Sequence, residues 1–106
     1  MVTIIRNADV YAPEHLGRTD VLLLGGTIAA VGENLKADFG GAVKVTELDG
    51  SELILTPGLI DGHEHIMGGG GEGGFHTRTP EASLTDLTLN GITTVVGCIG
   101  TDGVAR

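Results

Sequence analysis

The chain has 106 residues, a formal net charge of -8 and only 6 lysines and arginines, so it offers no basic surface to neutralise phosphates and nucleic acid is excluded as a partner. No apolar run approaches the 18 or so residues of a membrane span, and Met1 does not open a basic region followed by an apolar signal core, so the composition reads as a cytoplasmic globular protein without a membrane partner. The single cysteine, Cys98, forms no internal disulfide, and 19 glycines imply many tight turns.

Residues 1 to about 56 alternate short apolar runs with turn signals. Strands are expected at Val2 to Ile5, Ala8 to Tyr11, Asp20 to Leu24, Thr27 to Val31, Val43 to Leu48 and Glu52 to Leu55. Gly25-Gly26 suits a two-residue hairpin, because glycine supplies the positive φ of the primed turns, and Asp49-Gly50 reads as a second such turn. The stretch Ala12 to Arg18 is expected as a loop that places His15 on the surface.

From Leu59 the pattern changes to strand, loop, helix, strand. The strand ends in His63-Glu64-His65. Because side chains alternate along a strand, the two imidazoles face the same side and can share one metal ion. Two ligands do not complete a catalytic site, which needs about three plus an open position. Asp61 is placed to organise the strand end by hydrogen bonding, while Glu64 is turned away from the metal and needs a partner or an exposed edge.

The run Gly68-Gly69-Gly70-Gly71-Glu72-Gly73-Gly74 follows. It is not a phosphate loop, since no Gly-Lys-Ser/Thr follows it. A flexible linker is the plain alternative, but a linker seldom follows directly on a strand end with one carboxylate at its centre. His76 is expected to face solvent, and Arg78 to bridge the loop to the rest of the fold or to meet a substrate carboxylate. A helix is expected with Thr79 as N-cap, Pro80 at its first position, Glu81 in its first turn, Leu84 and Leu87 on one face and Gly91 as its stop. Ile92 to Val96 is a second strand, and Cys98 at its end reads as a small buried hydrophobe.

The segment Pro57-Gly58-Leu59-Ile60-Asp61-Gly62-His63-Glu64-His65 resembles the first barrel strand of the amidohydrolase superfamily. The glycine loop with Glu72, then Thr77-Arg78-Thr79-Pro80-Glu81, Val95-Val96-Gly97 and Gly100-Thr101-Asp102, is similar to the isoaspartyl dipeptidases (beta-aspartyl peptidases) of that superfamily, as is Ala8 to Glu14 near the start. The resemblance implies an α/β fold with a β-rich N-terminal part. Residues 1–56 would be part of a small β-sandwich domain. Residues 57–106 would be the first two strands and one helix of a metal-dependent (β/α)8 TIM barrel. Such a barrel takes about 250 residues, so the chain is expected to be an N-terminal fragment.

The resemblance also implies a zinc-dependent hydrolase that cleaves β-aspartyl dipeptides through a metal-bound hydroxide. His63 and His65 match the pair that binds the first of two zinc ions. Glu72 matches the residue that receives the substrate's α-ammonium, while Gly70 and Thr101 match residues beside the bound dipeptide. The bridging lysine, two further histidines and the aspartate base come later in that family, so no catalytic residue is assigned here and the isolated chain is expected to be inactive. A homo-oligomer is implied at full length. Two alternatives stay open: another amidohydrolase, dihydroorotase-like or deacetylase-like, and a non-catalytic β-rich binding module. The family usually has a small or apolar residue where this chain has Glu64.

Overall fold

A computed structural model describes residues 1–100. The chain divides into two compact units, with the boundary between Pro57 and Gly58.

The first unit is one mixed sheet. Strands β1 (Val2–Tyr11), β2 (His15–Leu24), β3 (Thr27–Gly32) and β4 (Val45–Asp49) lie in the order β3-β2-β1-β4, and β5 (Ile54–Leu55) also pairs with β1. β1 is antiparallel to β2 and parallel to both β4 and β5, which follow one another along its second edge. Alternation along β1 turns Val2, Ile4, Ala8 and Val10 to the buried side, and Val21 of β2 joins them. Each such side chain contributes about 1.5–3 kcal/mol when fully buried, Ala8 less.

Three expectations for this unit are corrected. The two strands expected at Val2 to Ile5 and Ala8 to Tyr11 are one strand with a bulge between Ile5 and Ala8. Asn7 sits there at φ 56°, a left-handed conformation that asparagine tolerates better than most residues. The expected loop at Ala12 to Arg18 is shorter, because β2 already begins at His15; His15 is on the surface as expected, stacked on Tyr11 with ring centroids 4.5 Å apart. Asp49-Gly50 is no hairpin. Gly50 donates to the Arg6 carbonyl at 2.7 Å, a turn closes between Gly50 and Leu53, and the chain resumes as β5 on the same edge of β1. The Gly25-Gly26 hairpin does form between Leu24 and Thr27, with Gly25 at φ 58°.

A polar knot braces the β1 bulge. Asp20, buried on β2, accepts from the Asn7 amide at 2.9 Å, the Arg6 guanidinium at 2.8 Å and the Leu35 amide at 3.1 Å. These donors, the Asn7 amide first, hold its carboxyl below the usual carboxylate range against the opposing effect of burial.

In the second unit, β6 (Leu59–Glu64) and β9 (Ile92–Gly97) pair in parallel. Between them lie a hairpin of two very short strands, β7 (Gly69–Gly70) and β8 (Arg78–Thr79), a 3-10 turn at Phe75–Thr77 in its loop, and the helix α1 (Leu84–Leu89). The strand, loop, helix, strand order is thus as expected, but the helix starts later. Its N-cap is Ser83, whose hydroxyl accepts from the Asp86 amide at 3.1 Å, and not Thr79, which pairs with Gly69. The Ala82 amide bonds to the Ile66 carbonyl at 3.0 Å, which ties the segment after Pro80 to the end of β6 rather than to a helical turn. Gly91, at φ 78°, ends the helix as anticipated. No helix among the described residues is long and apolar enough to cross a membrane.

Candidate metal centre

β6 ends in an irregular register: Asp61 pairs with Val95 and Glu64 with Gly97, so three steps on one strand oppose two on the other. This bulge re-aims the strand end. The Asp61 carboxylate accepts from the His63 amide at 3.0 Å and pins the bulge. His63 and His65 then present their imidazoles to each other, with Nε2 atoms 3.1 Å apart, centroids 5.0 Å apart and rings tilted by 58°.

That spacing fits two ligands of one ion. Two nitrogens each about 2.0–2.1 Å from a tetrahedral zinc lie about 3.3 Å apart. Both side chains are exposed, so an ion can reach them. The opposite edge of the His63 ring meets Cys98, with Nδ1 3.4 Å from Sγ, and a Cβ at position 100 would stand 2.5 Å from His65 Nδ1, so Gly100 leaves the second ring its place. Among the described residues no group of three or more histidine, cysteine or acidic side chains is assembled, so these two would supply part of a coordination shell.

Glu64 is half-buried, and the neighbouring Asp61 carboxyl, followed by burial, pushes the Glu64 carboxyl above its ordinary value. Asp61 is lowered, first by the His63 amide and then by Glu64, so any proton held by the pair sits on Glu64. The strand bulge makes the contact possible, because residues three apart would face opposite sides of a regular strand.

His63, Glu64 and His65 line an open cleft of about 650 Å³ whose opposite wall is Thr79, Pro80, Glu81 and the helix face of Asp86, Leu87 and Asn90. Glu72 is not in that lining. It is exposed in the turn between Gly71 and Gly74, and a Cβ on Gly70 would lie 3.7 Å from its Oε2, so Gly70 and Glu72 adjoin each other on the hairpin. Gly70 adopts φ 80°, which a side chain would strain. Thr101 lies outside the described residues. His76 is exposed, and the Arg78 guanidinium stands 5.6 Å from the centre of the Phe75 ring.

Cys98 is the residue whose place the sequence did not disclose. Read as a buried hydrophobe without a histidine nearby, it is half-buried and touches His63 across 35 positions. Only the parallel pairing of β6 with β9, which brings the Cys98 amide to the Glu64 carbonyl at 2.8 Å, sets them side by side.

No protein-family model matches the chain. The allantoinase of Salmonella paratyphi B is 38% identical over 93 residues, which are 88% of this chain and 18% of that protein. The beta-aspartyl dipeptidase of Fervidobacterium islandicum AW-1, solved in complex with the β-Asp-Leu dipeptide, is 48% identical, with a TM-score of 0.84 over 100% of this chain and 27% of its own. A second structure of the beta-aspartyl dipeptidase of that organism superposes with a TM-score of 0.85. The chain therefore spans about a quarter of the dipeptidase and less than a fifth of the allantoinase. Over its whole length the chain is similar in sequence and fold to part of a beta-aspartyl dipeptidase, and over most of it in sequence to an allantoinase, which bears out the resemblance to the isoaspartyl dipeptidases of the amidohydrolase superfamily.

Proposed function

We propose that the native protein carrying this chain is a zinc-dependent isoaspartyl dipeptidase, in which His63 and His65 hold one of two ions while Glu72, Gly70 and Thr101 bind the dipeptide. What carries the reading is the 48% identity across the whole chain to an enzyme solved with β-Asp-Leu, together with the 3.1 Å separation of the two imidazole nitrogens. Zinc, when bound, polarises an amide carbonyl and lowers the pKa of water. His63 and His65 offer imidazole nitrogens as ligands in the lining of an open cleft. Glu72, a lone carboxylate among glycines, offers its charge to the substrate's α-ammonium, and the bare Gly70 backbone lets the dipeptide approach. The other metal ligands and the general base would come from outside this chain, which by itself is inactive. The functional protein is a cytoplasmic homo-oligomer on this reading.

The allantoinase relatives support a second reading, hydrolysis of a cyclic amide. Steady-state rates of the native protein on β-Asp-Leu, allantoin and dihydroorotate separate the two. Turnover of β-Asp-Leu alone, with a Glu72→Gln variant whose KM rises at least tenfold while kcat changes less, is the expected result. Turnover of a cyclic amide without β-Asp-Leu would establish the second reading.

A further inference from the structure

His63 has two ring nitrogens, and a metal ligand must keep its proton on the one that faces away from the metal. Its Nε2 faces His65; its Nδ1 faces Cys98 Sγ at 3.4 Å. The thiol has a second neighbour, the Val96 carbonyl oxygen, at 3.7 Å. A carbonyl only accepts, so the thiol is the donor of that contact; with its one S–H proton there, the sulfur's lone pair is free to accept from His63. In that relay, from Nδ1–H to sulfur and from S–H to the Val96 carbonyl, Nε2 is unprotonated and His65 Nε2 is the donor of the 3.1 Å contact.

We propose that Cys98 is a positioning residue that fixes His63 as its Nδ1–H tautomer, with Nε2 free to bind the metal. The proposal rests on the metal reading of the histidine pair. Backbone pairing makes the relay rigid: the Cys98 amide donates to the Glu64 carbonyl at 2.8 Å, next in sequence to His63, and Glu64 is in register with Gly97. Asp61 fixes His63 from the other side through its amide at 3.0 Å. The residue is therefore constrained at its amide from within its own strand and at Nδ1 by the residue that follows β9.

The test uses the native protein with 15N-labelled histidine. Nitrogen shifts of the metal-free form report the His63 tautomer, and chelator competition reports zinc affinity. The proposal requires the Nδ1–H form in the unsubstituted protein. In Cys98→Val the tautomers should mix and zinc affinity should fall about 10–100-fold, the usual cost of losing an outer partner of a metal-bound histidine. Cys98→Ser, which keeps both a donor and an acceptor, should restore both readings. An unchanged tautomer and affinity in Cys98→Val would overturn the proposal. So would a sulfur-to-metal charge-transfer band in the cobalt-loaded protein, which would make Cys98 a ligand. If the unsubstituted protein takes up no zinc, the metal reading fails, while the tautomer shifts still decide whether Cys98 sets His63.

Discussion

His63 and His65 place their Nε2 atoms 3.1 Å apart, a separation that two protonated imidazoles would oppose and one shared cation would stabilise. Replacing either by alanine is expected to lower zinc affinity of the native protein by more than the roughly 100-fold upper cost of losing an outer partner. His76→Ala, exposed on the 3-10 turn, should leave it unchanged. Zinc titration against a chelator checks all three variants.

Asp20 makes the first unit sensitive to acid. Its folded-state carboxyl lies below the unfolded value of about 3.9, so it contributes stability that is fully present above that pH and is lost as pH falls through the lower folded value. Asp20→Asn turns an amide toward donors that need an acceptor. It should cost about 2–3 kcal/mol at neutral pH and flatten the loss of stability in acid. Denaturant melts between pH 2 and pH 7, a span of roughly the carboxylate titration range, check both effects.

Gly50 is needed for close approach and not for an unusual φ. A Cβ there would stand 2.7 Å from the Ala8 Cβ and 2.9 Å from the Arg6 carbonyl oxygen. Gly50→Ala should therefore destabilise the sheet by about 1–3 kcal/mol, whereas Gly26→Ala, with open space around it, should cost less. Equilibrium unfolding of the two variants makes the comparison.

The helix cap separates Ser83 from Thr79. Ser83→Ala should cost about 1 kcal/mol, and Ser83→Asp should retain most of the stability because its carboxylate can accept the same amide. Thr79→Ala should leave the helix intact, since Thr79 pairs with Gly69 in the β7–β8 hairpin. Amide exchange at Asp86 reads the cap directly.

What could be read in the residues follows the range of the forces involved. Short apolar runs between turn signals marked β3 and the two halves of β1, and Gly25-Gly26 marked its hairpin, because these depend on neighbours in the chain. The parallel placement of β4 and β5 along β1 depends on a partner some forty residues away, so Asp49-Gly50 looked like a hairpin turn and is a step along one edge. Thr79-Pro80-Glu81 has the local chemistry of a helix start, but Thr79 pairs with Gly69 and the Ala82 amide is taken by Ile66. At the site, the histidine pair was evident from its spacing. The approach of Asp61 to Glu64 needed a strand bulge, and the Cys98 to His63 contact needed the β6–β9 pairing; neither leaves a mark in local sequence.

Metal-dependent release of leucine from β-Asp-Leu by the native protein tests the account most directly. Turnover abolished by a chelator, restored by zinc and lost in His63→Ala is the expected result. Turnover that survives both metal removal and the His63→Ala substitution would contradict it.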